Sequence, residues 1–247
     1  MPKVQYLQAD HLRFATEAGD LTVRLAAKSA EVRKLLPPTA SKSDLRERAI
    51  YHLASVAHDL SIGHLVIAGS LIYPSWWRQF ECYRDGSDEQ LMGNTNHYLT
   101  SLRRSVFFSM FMVTENHLRL VHRFTVNGGN DNYGIRWWEI IDATLKQLGF
   151  EKHETRQLLS ILTYMRNSIH NNGVITQPDA KIKWRAQNYV FVKGYPSDGY
   201  TSEFLIVAIE AIADLMVEVA KHPAVLAVPD VENLGDRLGQ VPTVQKP

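Results

Sequence analysis

Cys82 is the single cysteine among 247 residues. No disulfide can close within the chain, and a zinc site built on paired cysteines is excluded. Such usage fits a reducing compartment. Neither sign of charge prevails: 27 Lys and Arg stand against 26 Asp and Glu, for a net charge of +1. The overall field therefore does not draw the chain onto nucleic acid, and any basic patch has to be local. The most apolar windows, 64–73 and 204–220, are broken by Gly, Ser, Glu or Asp, so neither reads as a membrane span. The opening MPKVQYLQADHLRF lacks the apolar stretch of a secretory signal. Together these absences predict a cytoplasmic protein that makes no use of a membrane.

Several chemical signatures are also missing. His153-Glu154 begins like the zinc-protease pattern H-E-x-x-H, but Gln157 stands where the second histidine belongs, and the helical metal clamp is lost. His117 and His122 are five apart and diverge on a helix. No metal site and no cofactor is expected. Gly128-Gly129 and Gly134 follow no strand and precede no Gly-Lys-Ser/Thr, so they make no phosphate loop. No Gly-x-Ser-x-Gly elbow occurs, and Cys82 has no basic neighbour in sequence. The pairs Trp76-Trp77 and Trp137-Trp138 read as core or interface anchors rather than base-stacking platforms.

What is present is mostly helical periodicity. A helix is expected from an Asp20 cap to about Leu36, stopped by Pro37-Pro38. A longer one follows Ser41 or Ser43 up to Pro74, with Gly63 and Gly69 as weak points. Residues 96–124 are the strongest helical stretch, and Val106–Val113 is apolar nearly all round, as in a central helix. Helices are also expected over 133–148, closed by Gly149, over 153–171, and over 202–221. Residues 181–193 alternate in period two and predict a hairpin turning near Ala186–Asn188. The fold class is thus all-α, an up-and-down helical bundle with a small β-hairpin before the last long helix. The expected organisation is an N-terminal helical appendage (1–40), a helical domain (41–223) and an extended proline-bearing tail (224–247).

Within this pattern LLSILTYMRNSIHNNG, Leu158–Gly173, stands out. The helix that buries Leu158, Ile161, Leu162 and Met165 carries Arg166 and His170 four residues apart, one turn apart on one face. Asn167 and Asn171 repeat the spacing beside them. A helix C-terminus accounts for part of this. Positive side chains suit the negative end of the dipole by about 0.3–1 kcal/mol, and Asn172 or Gly173 can close the helix. Two asparagines, poor helix formers, are less well explained by a cap. Arg166 can hold a phosphate in a bidentate fork, and His170 can move a proton near neutral pH.

The run MRNSIHNNG resembles the signature of the HEPN superfamily of all-α domains, an Arg followed by a polar residue and then a His near the end of a late helix. Arg166, Asn167 and His170 match that order. Three residues separate the Arg from the His, one short of the usual spacing. The resemblance implies a metal-independent endoribonuclease acting as a homodimer through the motif helix, of the toxin or phage-defence type, with RNA as substrate and a possible antitoxin or regulatory partner. In that reading His170 assists attack of the ribose 2′-OH or protonates the leaving oxygen, Arg166 holds the phosphate, and Asn167 orients one of them. Products carry a 2′,3′-cyclic phosphate.

Supporting roles fall to Glu115, expected to orient Arg166 or His170, and to Asn171. Lys181, Lys183, Trp184, Arg185 and Tyr189 of the hairpin mix basic and aromatic groups in a way that suits single-stranded RNA. Their plainer reading is a hairpin with its aromatic face on the helices. Arg119 and Arg123 can add phosphate contacts or line a wet helix face. The alternative from another class is a catalytically inactive HEPN-like module that binds nucleotide, RNA or protein. A general all-α regulator unrelated to the superfamily is the third.

Overall fold

A computed structural model gives the architecture, described for residues 8–130, 132–171, 173–196, 200–229 and 231. In chain order the elements are α1 (Gln8–Leu35), α2 (Leu45–Val66), a π-turn (Ile67–Leu71), α3 (Pro74–Trp77), a 3-10 turn (Glu81–Tyr83), α4 (Asp88–Thr125), α5 (Trp137–Gln147), α6 (Thr155–His170), β1 (Ala180–Trp184), β2 (Gln187–Phe191), α7 (Ser202–Lys221) and α8 (Pro223–Leu226). The molecule is a helical bundle carrying one two-stranded antiparallel sheet. Among the described residues no helix is long and apolar enough to cross a membrane.

The first helix corrects the sequence expectation. It begins at Gln8, so Asp20 lies inside it rather than at its cap. His11, Phe14, Ala15, Ala18, Leu21, Leu25, Ser29 and Val32 form one buried stripe at helical spacing. Phe14, Ala18, Leu21, Leu25 and Val32 belong to the same core as α2, α4, α6 and α7. Residues 1–40 are therefore not an appendage as far as they are described. The stripe is diluted by polar neighbours in sequence, which hid it.

Side-chain caps set several helix starts. Asp44 accepts from the Arg46 N–H and opens α2. Ser87 and Gln90 form a capping box at α4, moving that start upstream of the expected Asn96. Thr201 accepts from the Phe204 N–H and opens α7, whose span agrees with the sequence reading.

The long helix α4 is central: Val106, Phe107, Met110 and Phe111 are all buried. Gly63 lets α2 approach it closely, since a Cβ there would lie 2.3 Å from Leu102 Cδ2. Trp77 and Trp137 act as anchors, whereas Trp138 is exposed. Trp77 Nε1 donates to the Leu71 carbonyl (2.9 Å) and Trp137 Nε1 to Thr163 Oγ1 (3.1 Å).

The start of the expected tail is also tied down. Asp44 and Arg46, both fully buried, face each other in a fork, with Nε to Oδ1 at 2.9 Å and the second pair, to Oδ2, at 2.6 Å. Arg46 then donates to the carbonyls of Val225 (2.9 Å) and Val228 (2.7 Å). Asp44 Oδ2 accepts from the Val231 N–H, and the Leu45 N–H donates to the Val231 carbonyl. Burial alone would raise the Asp44 carboxyl, but the hydrogen bonds from Arg46 and Val231 and the Arg46 charge outweigh it and hold it below its ordinary value. Residues 223–229 and 231 are thus a short helix and strap clamped onto α2; the rest of the expected tail lies outside the described residues.

Candidate functional site

Arg166 and His170 share one face of α6, and that face lies against α4. The Arg166 guanidinium sits 5.8 Å from the centre of the Phe111 ring. The His170 ring meets Phe108 edge-on at 6.0 Å. The two aromatic residues are three apart on α4, so successive turns of one helix support the pair on the other. Arg166 is half-buried and His170 is exposed. This is the geometry needed for an imidazole reachable from solvent beside a guanidinium held in place by packing.

The neighbouring asparagines divide their roles. Asn167 Oδ1 accepts from Arg166 Nη1 at 3.1 Å, which orients the guanidinium. Asn171 closes the helix instead: its Nδ2 donates to the Asn167 carbonyl (2.7 Å) and to Thr176 Oγ1 (3.0 Å). Gly173, at φ 85°, returns its N–H to the Ser168 carbonyl at 2.8 Å. Its left-handed backbone is one that a side chain disfavours. Asn172 lies outside the described residues.

Apart from Asn171, the expected supporting residues do not gather here. Glu115 turns along its own helix and binds Arg119 at 2.8 Å, so it is not the carboxylate partner expected for Arg166 or His170. The i, i+4 spacing of two residues on one helix outcompetes a partner on another. Arg119 also donates to the carbonyls of Asn132 and Ile135, and Arg123 to that of Gly129 (2.7 Å). Both arginines therefore brace the loop after α4, and their expected role as phosphate contacts loses its geometric basis.

The hairpin pairs Ala180 with Phe191 through to Trp184 with Gln187, and it turns at Arg185-Ala186, one residue earlier than expected. Arg185 takes φ 52°. Trp184 is 3% exposed and packs edge-on against Phe204. It is a core residue, and its expected role as an RNA-stacking ring is corrected by that burial. Lys183 and Arg185 remain exposed, Arg185 lying 5.0 Å over the Trp184 ring.

A second constellation escaped the sequence reading. His11 of α1, His64 of α2, Arg103 of α4 and Ser202 of α7 meet inside the core, all buried. His11 Nδ1 lies 2.8 Å from His64 Nδ1, His64 Nε2 lies 2.8 Å from Ser202 Oγ, and Arg103 Nε donates to Ser202 Oγ at 3.0 Å. Burial pushes the His64 pKa down to about 3, helped by the charges of His11 and Arg103. It also lowers His11, with Arg103 adding to the effect and Asp10 opposing it. No spacing in the sequence announces this cluster, because its four members come from four helices. It has no access from solvent and acts as a polar rivet rather than a reaction centre.

His153 donates no metal clamp either. Its Nδ1 accepts from the Thr155 N–H (3.2 Å) and its Nε2 faces Glu218 (3.3 Å). Among the described residues no three His, Cys, Asp or Glu side chains are grouped to hold a metal ion. Comparison with protein-family models, with curated proteins and with solved structures finds no match to this chain.

Proposed function

We propose that this protein is a HEPN-like, metal-independent endoribonuclease that acts as a homodimer, of the toxin or phage-defence type, in the cytoplasm. The observation that supports it most is the pairing of a half-buried Arg166 with an exposed His170 on one face of α6, both resting on aromatic rings of α4. In this reading Arg166, oriented by Asn167, binds the scissile phosphate and stabilises its growing charge. His170 takes the proton of the 2′-OH as that oxygen attacks phosphorus, or gives a proton to the departing 5′-oxygen. The ends left are a 2′,3′-cyclic phosphate and a 5′-OH. Two motif helices meeting across a dimer would supply one imidazole for each proton transfer. An antitoxin or regulatory partner would restrain the activity.

The test is incubation with RNAs of varied sequence in EDTA, comparing the native protein with His170→Ala and Arg166→Ala. Loss of an imidazole that transfers a proton lowers the rate by about 10²–10⁴-fold. Equal cleavage by native protein and His170→Ala would end the role assigned to His170. Sedimentation of the native protein reads the dimer.

A second reading is a catalytically inactive HEPN-like module that binds nucleotide, RNA or protein. It is favoured by the use of Asn171 and Gly173 in closing the helix and by the loss of Glu115 to Arg119. Here RNA would bind, with Arg166 required, and would emerge uncut.

A further inference from the structure

We propose that Asn127 is a self-modification site: its side-chain amide is lost to attack by the Gly128 backbone nitrogen, and the carboxylate left behind loosens the loop between α4 and α5. The proposal stands apart from the ribonuclease reading, since the reaction uses neither Arg166 nor His170.

Asn-Gly is the dipeptide in which this attack is least hindered. Glycine has no side chain beside the attacking nitrogen. Nitrogen and amide carbon belong to one chain, so the five-membered ring closes without an encounter between molecules. The sequence holds Asn-Gly twice, at Asn127-Gly128 and Asn172-Gly173. Asp-Gly, which closes the same ring with loss of water, occurs among the described residues at Asp85-Gly86.

The backbone separates these sites. The Gly173 N–H donates to the Ser168 carbonyl (2.8 Å) and the Gly86 N–H to the Tyr83 carbonyl (3.1 Å). A nitrogen engaged in this way has to open before it can lose its proton and attack. The Gly128 N–H meets no acceptor among the described residues, although the amides on either side of it are bonded. That of Asn127 donates to the His122 carbonyl (3.0 Å) and that of Gly129 to the Arg123 carbonyl (2.8 Å). Gly128 is also exposed, whereas Gly86 and Gly173 are half-buried. Base and water therefore reach its nitrogen directly.

The Gly128 nitrogen gives its proton to solvent base and bonds to Cγ of Asn127. The Cγ–Nδ2 bond breaks, and Nδ2 leaves as ammonia after taking a proton from water. Water then opens the succinimide at one of its two carbonyls, which leaves aspartate or isoaspartate. The step consumes one water and needs no oxidant, metal or partner. Its consequence is local. Asn127 and Asn130 hold each other reciprocally, each Nδ2 donating to the other's carbonyl at 3.0 Å. A carboxylate has no hydrogen to donate, so one of these bonds becomes a repulsion between two acceptors. The new charge also arises four residues after Arg123, whose Nε braces the same loop through the Gly129 carbonyl (2.7 Å).

The experiment ages the full chain in mildly alkaline buffer, folded and in urea, and reads the tryptic peptides 124–136 and 167–181 by tandem mass spectrometry. In the folded chain Asn127 should convert about tenfold faster than Asn172, the weight of one net hydrogen bond. In urea, where no backbone bond protects either site, the two rates should converge. Both aspartate and isoaspartate should appear at position 127, as ring opening requires. Asn127→Gln, which would have to close a larger ring, should slow the loss of ammonia at this position. Asn127→Asp installs the product and should quicken hydrogen exchange at the Gly129 and Asn130 amides with the helical circular dichroism unchanged. The proposal is overturned if Asn127 in the folded chain converts no faster than Asn172, or if the same ratio persists in urea. It is equally overturned if aspartate is the sole product, or if Asn127→Asp leaves exchange at Gly129 and Asn130 as it was.

Discussion

The imidazoles of His11 and His64 face each other through their Nδ1 atoms at 2.8 Å, deep inside the bundle. Such a contact needs one proton between two nitrogens. Arg103 Nε donates to Ser202 Oγ, so that hydroxyl can pass its own hydrogen to His64 Nε2. His64 then carries its proton on Nδ1 and donates to His11. The tautomers follow from the donors available, and with both rings neutral each of the three contacts has its one hydrogen.

Acid should therefore unfold this protein early. His64 titrates near 3 and His117, fully buried, near 4, the latter lowered by burial against the opposing pull of the Leu45 backbone and the Asp44 charge. Both values lie below the unfolded value of 6.5. Between 6.5 and about 4 the unfolded chain binds protons that the folded one refuses. Stability is complete above 6.5 and falls as the pH drops, by at most about 1.4 kcal/mol per pH unit for each histidine. Urea titrations at pH 7, 6 and 5 should show this slope, and His64→Gln should reduce it by about one proton.

Cutting the Asp44–Arg46 fork on one side should cost more than removing both partners. Asp44→Ala leaves a buried guanidinium without its carboxylate, a loss on the order of 3–5 kcal/mol. Arg46→Met with Asp44→Ala leaves no unpaired charge and should recover part of that. The same single variant should free residues 223–229 to proteolysis, because Asp44 holds the Val231 N–H directly and positions the guanidinium that donates to the Val225 and Val228 carbonyls. A denaturation series across the three variants checks the order.

Two glycines once equally suspect should separate. Gly63→Ala places a methyl 2.3 Å from Leu102 Cδ2 and should destabilise by about 1–3 kcal/mol through overpacking. Gly69→Ala meets nothing within 4 Å and should be nearly neutral. Thermal melts of the two variants decide it.

At the motif, cap and chemistry can be pulled apart. Gly173→Ala forces a side chain into φ 85° and should lower stability by about 1–2 kcal/mol. His170→Ala touches an exposed ring and should change stability by less than about 0.5 kcal/mol. If RNA cleavage is found, only the histidine variant should lose it at temperatures where both are folded. Matched melts and cleavage assays read both effects.

Local periodicity alone determined the mostly helical class, the existence of the main helices and the span of α7, and its period-two form determined the hairpin. Those signals are local: apolar spacing, caps and breakers act over a few residues. Spacing alone also put Arg166 and His170 on one face of α6. It could not say what that face rests on, and the rings of Phe108 and Phe111 arrive from a helix about sixty residues earlier. Tertiary structure alone decided that α1 belongs to the core, that Glu115 serves Arg119, that Trp184 is buried, and that His11, His64, Arg103 and Ser202 converge. Each of these depends on which residues from separate elements become neighbours, and burial and pairing energies choose those neighbours only when the whole bundle closes.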